Sequence, residues 1–288
     1  MILVDFSQVM LSNIFMQLHH NNNDELNETL VRHMVLNSLR MYRQKFADYG
    51  DMIMCCDGPS YWRREYFPQY KANRKKAREK SSLDWNMIFQ SLNKIRDEIA
   101  ENMPYPVLRK EGAEADDIIG ALCKQYGMIV RSSDNEKNII IISADKDFCQ
   151  LQKYANVQQY SPIQKKMVVE NNPERYKKLH IMQGDVGDGV PNFLSADNTL
   201  VEGIRQKPLS KKKLEEWLAM DPSEFCEGEM LRNYMRNKKM VDFDEIPELL
   251  QNDIVNDYVY MDRNHRSKIL NYFIKNRLKT LTESIGDF

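Results

Sequence analysis

Short, continuous apolar runs alternate with amphipathic stretches over the first 170 residues. The runs Met1 to Val4, Met52 to Cys56 and 138 to 143, the last built on Ile139 to Ile142, predict strands. Between them, Leu30, Val31, Met34, Val35, Leu39, Tyr42 and Phe46 recur at helical spacing, opposite Arg32, Asn37, Arg40 and Lys45, and predict a helix over about 27–46. A second helix is expected from about Asp84 to Glu101, stopped before Pro104, and a third from the turn at Lys110 to about Tyr126, with Gly127 as its C-cap. A hairpin is expected over Val157 to Val169. Beyond about Tyr176 the pattern is helical with no clear strand, including Leu214 to Met220, Phe225 to Asn237 and Ile269 to Leu281.

Strands that are apolar throughout and alternate with helices predict an α/β fold, a mostly parallel sheet flanked by helices on both faces. A boundary is placed near residue 170, at the turn-rich Asn171-Asn-Pro, giving an α/β core over 1–170 and an α-helical domain over 171–288. Asn21 to Asn23 reads as a short polar loop. In a parallel sheet, sites form where strands finish, so acids just past strand ends meet on one edge although they are far apart in sequence.

Those acids exist. Asp5 and Asp57 follow the first two runs, and Asp145 and Asp147 follow the third; Glu114, Asp116 and Asp117 open a helix, and Asp185 and Asp188 sit in the Gly-rich turn Gly184 to Val190. Singly, each has a bland reading as a turn former, helix cap or helix-dipole partner. Together they are difficult to hold without cations, since two carboxylates about 4 Å apart repel by about 4 kcal/mol at an effective dielectric near 20. The five histidines, His19, His20, His33, His180 and His265, fall outside the acidic motifs. An all-oxygen set favours two Mg²⁺ (or Mn²⁺) over zinc, with some acids acting through water or as supports for the direct ligands. Two such ions about 3.5 to 4 Å apart suit in-line displacement at phosphorus, one activating the attacking water and the other taking up charge on the leaving oxygen.

At 288 residues and 42% apolar content the chain can bury a substantial core. Its five cysteines lack paired or zinc-type spacing, which implies reduced thiols. There is no charged leader with an apolar signal core and no membrane-length run, so a soluble, cytoplasmic protein is expected. Net charge is only −1, but its distribution is uneven. Tyr61 to Lys80 carries eight bases against two Glu, interleaved with Tyr61, Trp62, Tyr66, Phe67 and Tyr70. Cations for phosphates beside rings for bases are the makings of a nucleic-acid surface. Further bases lie at Lys211, Lys212 and Lys213, at Arg236 to Lys239, and from Arg263 to Lys279.

With LVDFSQ at 3–8, YWRR at 61–64, KxNRxKAR at 71–78, EADD at 114–117, ISADKDFCQL at 142–151, QYSPIQKK at 159–166 and the closing SIGDF, the chain resembles the structure-specific 5′ nuclease or flap endonuclease family, including its bacteriophage members. The resemblance implies a PIN-like nuclease core, then a helical domain whose helix-three-turn-helix around Tyr176 to Ile204 grips duplex backbone. It marks the nine acids as metal ligands, with Asp147 also catalytic. Arg63 and Lys71 would contact the phosphate, and Tyr70 would stack. Residues 58–85 would form an arch, with Tyr61, Trp62, Arg64, Arg74, Lys75, Lys76 and Arg78 against nucleic acid, and Lys211 to Lys213 would add to the footprint. Implied substrates are double-stranded DNA with a 5′ single-stranded flap and RNA-DNA hybrid. Replication proteins such as single-strand-binding protein or a sliding clamp are the implied partners of a monomeric enzyme that removes primers from lagging-strand fragments. Contacts made in the family by a longer N-terminal tail are expected to be missing, and Asn192 to Val201 reads poorly as the second helix of its motif. A non-catalytic DNA-binding protein of the same fold is the alternative. An Asp-nucleophile phosphomonoesterase would want D-x-D after the first strand, where Asp5 is followed by Phe6 and Ser7.

Overall fold

The computed structural model describes residues 1–21, 26–128, 138–262 and 266–288. Most of the polar loop expected over 21–23, and the residues 263–265 that open the last basic stretch, lie outside these. The chain runs β1 (Ile2–Asp5), α1 (Phe6–Asn21), α2 (Glu28–Lys45), β2 (Met52–Cys56), α3 (Trp62–Tyr66), α4 (Ala72–Glu79), α5 (Trp85–Asn102), β3 (Val107–Arg109) and α6 (Ala115–Tyr126). It continues as β4 (Ile139–Ile142), β5 (Val157–Ser161), β6 (Lys166–Val168), α7 (Pro173–Gln183), α8 (Lys211–Leu218), α9 (Pro222–Phe225), α10 (Gly228–Val241), α11 (Glu248–Tyr260), α12 (Ile269–Lys275) and α13 (Lys279–Thr282).

The six strands form one sheet in the order β3-β2-β1-β4-β5-β6, parallel except for β6, which returns antiparallel to β5. The order reverses at β1, whose neighbours β2 and β4 are reached in opposite directions. This is the topological switch point at which parallel sheets open a crevice beyond their strand ends. Register fixes what borders it: Asp5 lies beside Cys55, two residues before Asp57, and Val4 lies beside Ile142, three before Asp145.

Alternation along the strands divides the core between two faces. Ile2, Val4, Met52, Met54, Ile140 and Ile142 pack with α1, α2 and α5, while Leu3, Ile53, Cys55, Ile139 and Ile141 pack with α6 and α11. A third cluster joins α7, α8 and α10 to Phe67 and Tyr70 from the basic segment. Past residue 170 the chain does not stay apart from the sheet. Ile254 and Tyr258 return to one face, and Ile269, Phe273, Leu281 and Phe288 return to the other. All five cysteines are free and buried.

The expected helices start at side-chain caps. Asn27 accepts the amide of Leu30 at 3.0 Å, Asp84 that of Met87 at 3.0 Å, and Glu114 forms a capping box with Asp117. Gly127 differs from expectation, because its φ of −76° is not a left-handed C-cap. A side chain is excluded there instead by close approach, as a Cβ would lie 2.2 Å from the Cys123 carbonyl. The periodicity reading does not anticipate α1, although Phe6, Val9, Met10 and Ile14 form its buried stripe. In the helical region α7 forms, but Asn192 to Val201 folds as turns and the next helix begins only at Lys211, so the second helix of the expected motif is not made there. Polar scaffolding replaces it: the Asn192 amide donates to the Lys207 carbonyl (2.9 Å), and buried Arg236 donates to Pro191 O (3.0 Å) and to Asp197 (2.6 Å).

Candidate metal centre and phosphate-facing bases

Asp5 ends β1 and begins α1, so it caps the helix, accepting the Gln8 amide at 3.1 Å, while its other oxygen accepts the Ser143 hydroxyl at 3.0 Å. Strands β1 and β4 are thereby tied at their carboxyl ends. Asp57 accepts the Ser7 hydroxyl at 2.8 Å and the Ala115 amide at 2.9 Å, which draws the end of β2 to the starts of α1 and α6. Asp116 projects from the first turn of α6. Asp145 begins the 3₁₀ turn Lys146–Lys153 and accepts the Asp147 amide at 2.9 Å.

These acids feel one another. Burial, then the charge of Asp57, pushes the Asp5 carboxyl up to about 6. Burial, then Asp147, pushes Asp145 up to about 7, and burial with Asp145 and Asp5 raises Asp116 well above the ordinary carboxylate range. Asp185 is raised by burial, Asp188 and Asp147. Buried carboxylates in each other's field disfavour their own charge, a cost that divalent ions shared among them would relieve. Asp5, Asp57, Asp116, Asp145, Asp147 and Asp185 are therefore linked electrostatically, each within the field of another.

One histidine joins them. His180, on the last turn of α7, places Nε2 3.1 Å from Asp147 Oδ1 and 3.9 Å from Asp185 Oδ2. Burial would lower its pKa, but Asp147 and Asp185 raise it. The expectation that no histidine belongs to an acidic cluster is corrected here. His180 stands 33 residues from Asp147 in the chain, and the packing of α7 against the 3₁₀ turn Lys146–Lys153 brings the two together, while the turn at Gly184, at φ +67°, returns Asp185 to the same place.

Glu114, Asp117 and Asp188 are engaged differently. Asp117 accepts Arg63 Nη1 at 2.7 Å and the Trp62 indole at 3.2 Å, while Glu114 accepts Lys71 Nζ at 2.5 Å, Tyr70 OH at 2.8 Å and Arg63 at 3.2 Å. Asp188 meets Arg74, the Tyr70 hydroxyl (3.0 Å) and Lys71 (3.4 Å). Burial alone would raise it, but these bases hold it low. Its carbonyl also accepts the Lys71 amide at 2.7 Å, and the Asn73 amide donates to Val186 O at 2.8 Å, so the start of α4 is fastened across the Gly184–Val190 turn.

The basic segment is split by burial. Arg63 is 2% exposed, with its guanidinium committed to Glu114, Asp117 and the Met240 carbonyl, and Trp62 and Tyr70 are buried beside it. Lys71 is 8% exposed and takes a left-handed backbone, φ +58°. Facing outward are Arg64, Arg74, Lys75 and Lys76, with Tyr61 and Arg78 half-buried; most of them line a cleft of about 610 Å³ with Lys71 in its wall. Arg78 lies over the Trp85 and Phe89 rings, 5.3 and 4.8 Å from their centroids. Lys211, Lys212 and Lys213 are exposed at the start of α8. Residues that charge patterning alone does not single out are Ser7 and Ser143, whose hydroxyls donate to Asp57 and Asp5, and Gln8, whose side chain accepts the Ala144 amide beside Asp145.

A parallel sheet with its switch point ringed by carboxylates and flanked by a basic cleft defines a phosphodiester-cleaving enzyme of the resolvase-like α/β class. The N-terminal resolvase-like domain of 5′-3′ exonucleases matches residues 1–180, and the C-terminal domain of T4 RNase H matches residues 159–288. The chain belongs to the 5′-3′ exonuclease family and is a metal-dependent 5′ nuclease. It is 37% identical to the ribonuclease H of Enterobacteria phage T4 over 99% of its own length and 95% of that protein. A flap endonuclease, Xni, of Aliivibrio fischeri is 33% identical over 31% of this chain and 29% of its own. Among solved structures, bacteriophage T5 5′-exonuclease with bound zinc aligns with a TM-score of 0.61 at 17% identity, over 90% of this chain and 98% of that one. A T5 flap endonuclease complexed with DNA and metal ions aligns with the same TM-score at 16% identity, over 90% and 97%. Both likenesses are of fold. Among the described residues no helix is long and apolar enough to cross a membrane.

Proposed function

We propose that this chain hydrolyses DNA and RNA annealed to DNA from 5′ ends and at 5′ flaps, using two Mg²⁺ (or Mn²⁺), and removes RNA primers from lagging-strand fragments. The observation that carries this reading is the convergence of Asp5, Asp57, Asp116 and Asp145 at the switch point, with three of their carboxyls raised by burial and each other. These four would hold one ion, and Asp147 with Asp185 the other. Bound there, the ions supply an activated water and a sink for charge on the leaving oxygen. The remaining acids have a supporting part: Glu114, Asp117 and Asp188 hold Arg63, Lys71 and Arg74 at the rim. Lys71, between Glu114 and the open cleft, is placed to meet a phosphate that displaces it from its partners.

The T5 enzyme described with DNA and metal ions supports the same substrate class here. The T4 relative, named a ribonuclease H and matching nearly end to end, supports RNA annealed to DNA. End-labelled flap, nicked and RNA-primed duplexes, each incubated with Mg²⁺ or with chelator, test the proposal. Cleavage that needs Mg²⁺ and falls at least about a hundredfold in Asp147→Asn, with an unchanged fold by circular dichroism, is the expected outcome. Cleavage that persists in chelator rejects it.

A further inference from the structure

His180 is the one imidazole that the described structure sets among the acids. Its Nε2 and one oxygen each of Asp147 and Asp185 all lie within 4.8 Å of one another, close to the spacing of donors that share an ion at about 2.1 Å from each. An ordinary ion pair with Asp147 is the plainer account, and at 3.1 Å the two are in range of one. It leaves buried Nε2 without an aligned hydrogen bond, because a contact this short fails only on the direction of the ring N–H. A buried ring nitrogen left without a partner is unfavourable unless something else fills its lone pair. The ring has little freedom to turn away. It lies nearly parallel to the Tyr176 ring, at 15° with centroids 6.1 Å apart, on a helix that turns into the acidic loop directly after it.

We propose that His180 is a nitrogen ligand of the ion at Asp147 and Asp185, so that the two ion positions of this nuclease differ in kind. The position at Asp5, Asp57, Asp116 and Asp145 is all-oxygen and suits Mg²⁺. The position at His180 is mixed and prefers Mn²⁺ or a later first-row ion, since neutral imidazole binds these far better than it binds magnesium. This rests on the reading of the acidic crevice as a metal site.

Pulsed electron paramagnetic resonance on the full chain loaded with Mn²⁺ tests it directly, with nitrogen-15 histidine to remove ambiguity from solvent or backbone nitrogen. The wild type is expected to show electron spin-echo modulation from a directly bound imidazole nitrogen, shifting to the nitrogen-15 pattern on labelling. In His180→Gln that modulation should vanish while Mn²⁺ still binds, with its affinity about tenfold weaker and that for Mg²⁺ changed less than about threefold. Bound Mn²⁺ without nitrogen modulation in the wild type overturns the assignment and leaves the carboxylate site standing. Absence of any Mn²⁺ or Mg²⁺ binding sinks the metal reading as well. The wild-type spectrum shows whether a histidine is bound at all, and His180→Asn is read in place of His180→Gln should that variant fold poorly, modulation that persists in either one overturning the assignment to His180.

Discussion

Asp145 and Arg63 illustrate opposite uses of a buried charge. The Asp145 carboxyl titrates near 3.8 when unfolded and about 7 in the fold, so between those pH values the native state holds a proton that the unfolded chain releases. Stability contributed by that proton is therefore lost as pH rises from about 4 through 7. In chelator, Asp145→Asn should gain stability over wild type by about 1 to 3 kcal/mol between pH 5 and pH 8, read from urea unfolding at each pH. A difference that does not grow with pH would count against the crowding of these acids. Arg63 is the reverse case, a cation shared by two buried carboxylates and a carbonyl. Arg63→Ala should cost about 3 to 5 kcal/mol of unfolding free energy, measured by denaturant titration, because it strands Asp117 and Glu114. A residue that only touched phosphate would leave stability unchanged. At this scale the sequence discloses residue types well and engagement poorly. Carboxylates after apolar runs announce themselves, whereas Arg63, Trp62 and Tyr70 look like a solvated, stacking surface until the packing of α10 against the basic segment buries them. His180 is silent because Asp147 is distant in the chain and Asp185, though near, lies across the turn at Gly184.

Among elements, those with the cleanest periods are the most legible. Helices α2, α5 and α6 and strands β1, β2 and β4 lie within a residue or two of expectation, since each pairs a strong apolar pattern with a capping residue or a β-branched run. Helix α1 is hidden by its position, starting with no intervening turn at Asp5, where a strand end and a helix start share one residue. Helices α3 and α4 are short and held by tertiary contacts more than by propensity, α4 resting on the Gly184–Val190 turn. The loop 192–203 has no helical period and is kept in place by Asn192, Arg236 and Asn237, which no local pattern could assign. Helix α8 carries a prediction of its own. Lys211, Lys212 and Lys213 are exposed at the start of the helix, so replacing all three by Ala should weaken duplex binding and reduce the slope of log affinity against log salt by about one per lost phosphate contact. Fluorescence anisotropy across a salt series reads both, and an unchanged slope removes these lysines from the footprint.

For the whole molecule, the alternation of strand and helix is sufficient to foresee a parallel sheet and acids gathered at one edge, while the order of strands and the path of the tail come only from three-dimensional packing. Residues after Phe243 close both faces of the sheet, with Phe273 fully buried against Phe288 at 5.2 Å between ring centroids. Phe273→Ala should therefore destabilise the entire fold by about 3 to 5 kcal/mol, seen as a lower thermal midpoint, while cleavage well below that midpoint stays near wild type. Selective loss of cleavage with no change in midpoint would mean that the tail serves the site and not the core.

The position of β1 at the switch point has a consequence for how the enzyme comes into being. Asp5 is synthesised long before its flanking strand β4, which begins at Ile139, and Asp185 follows later still. No nascent or truncated chain ending before Asp185 can bring the two groups of acids together. A half-made copy therefore carries an incomplete set of acids, and closing loops over such long separations leaves the complete set to the late stages of folding.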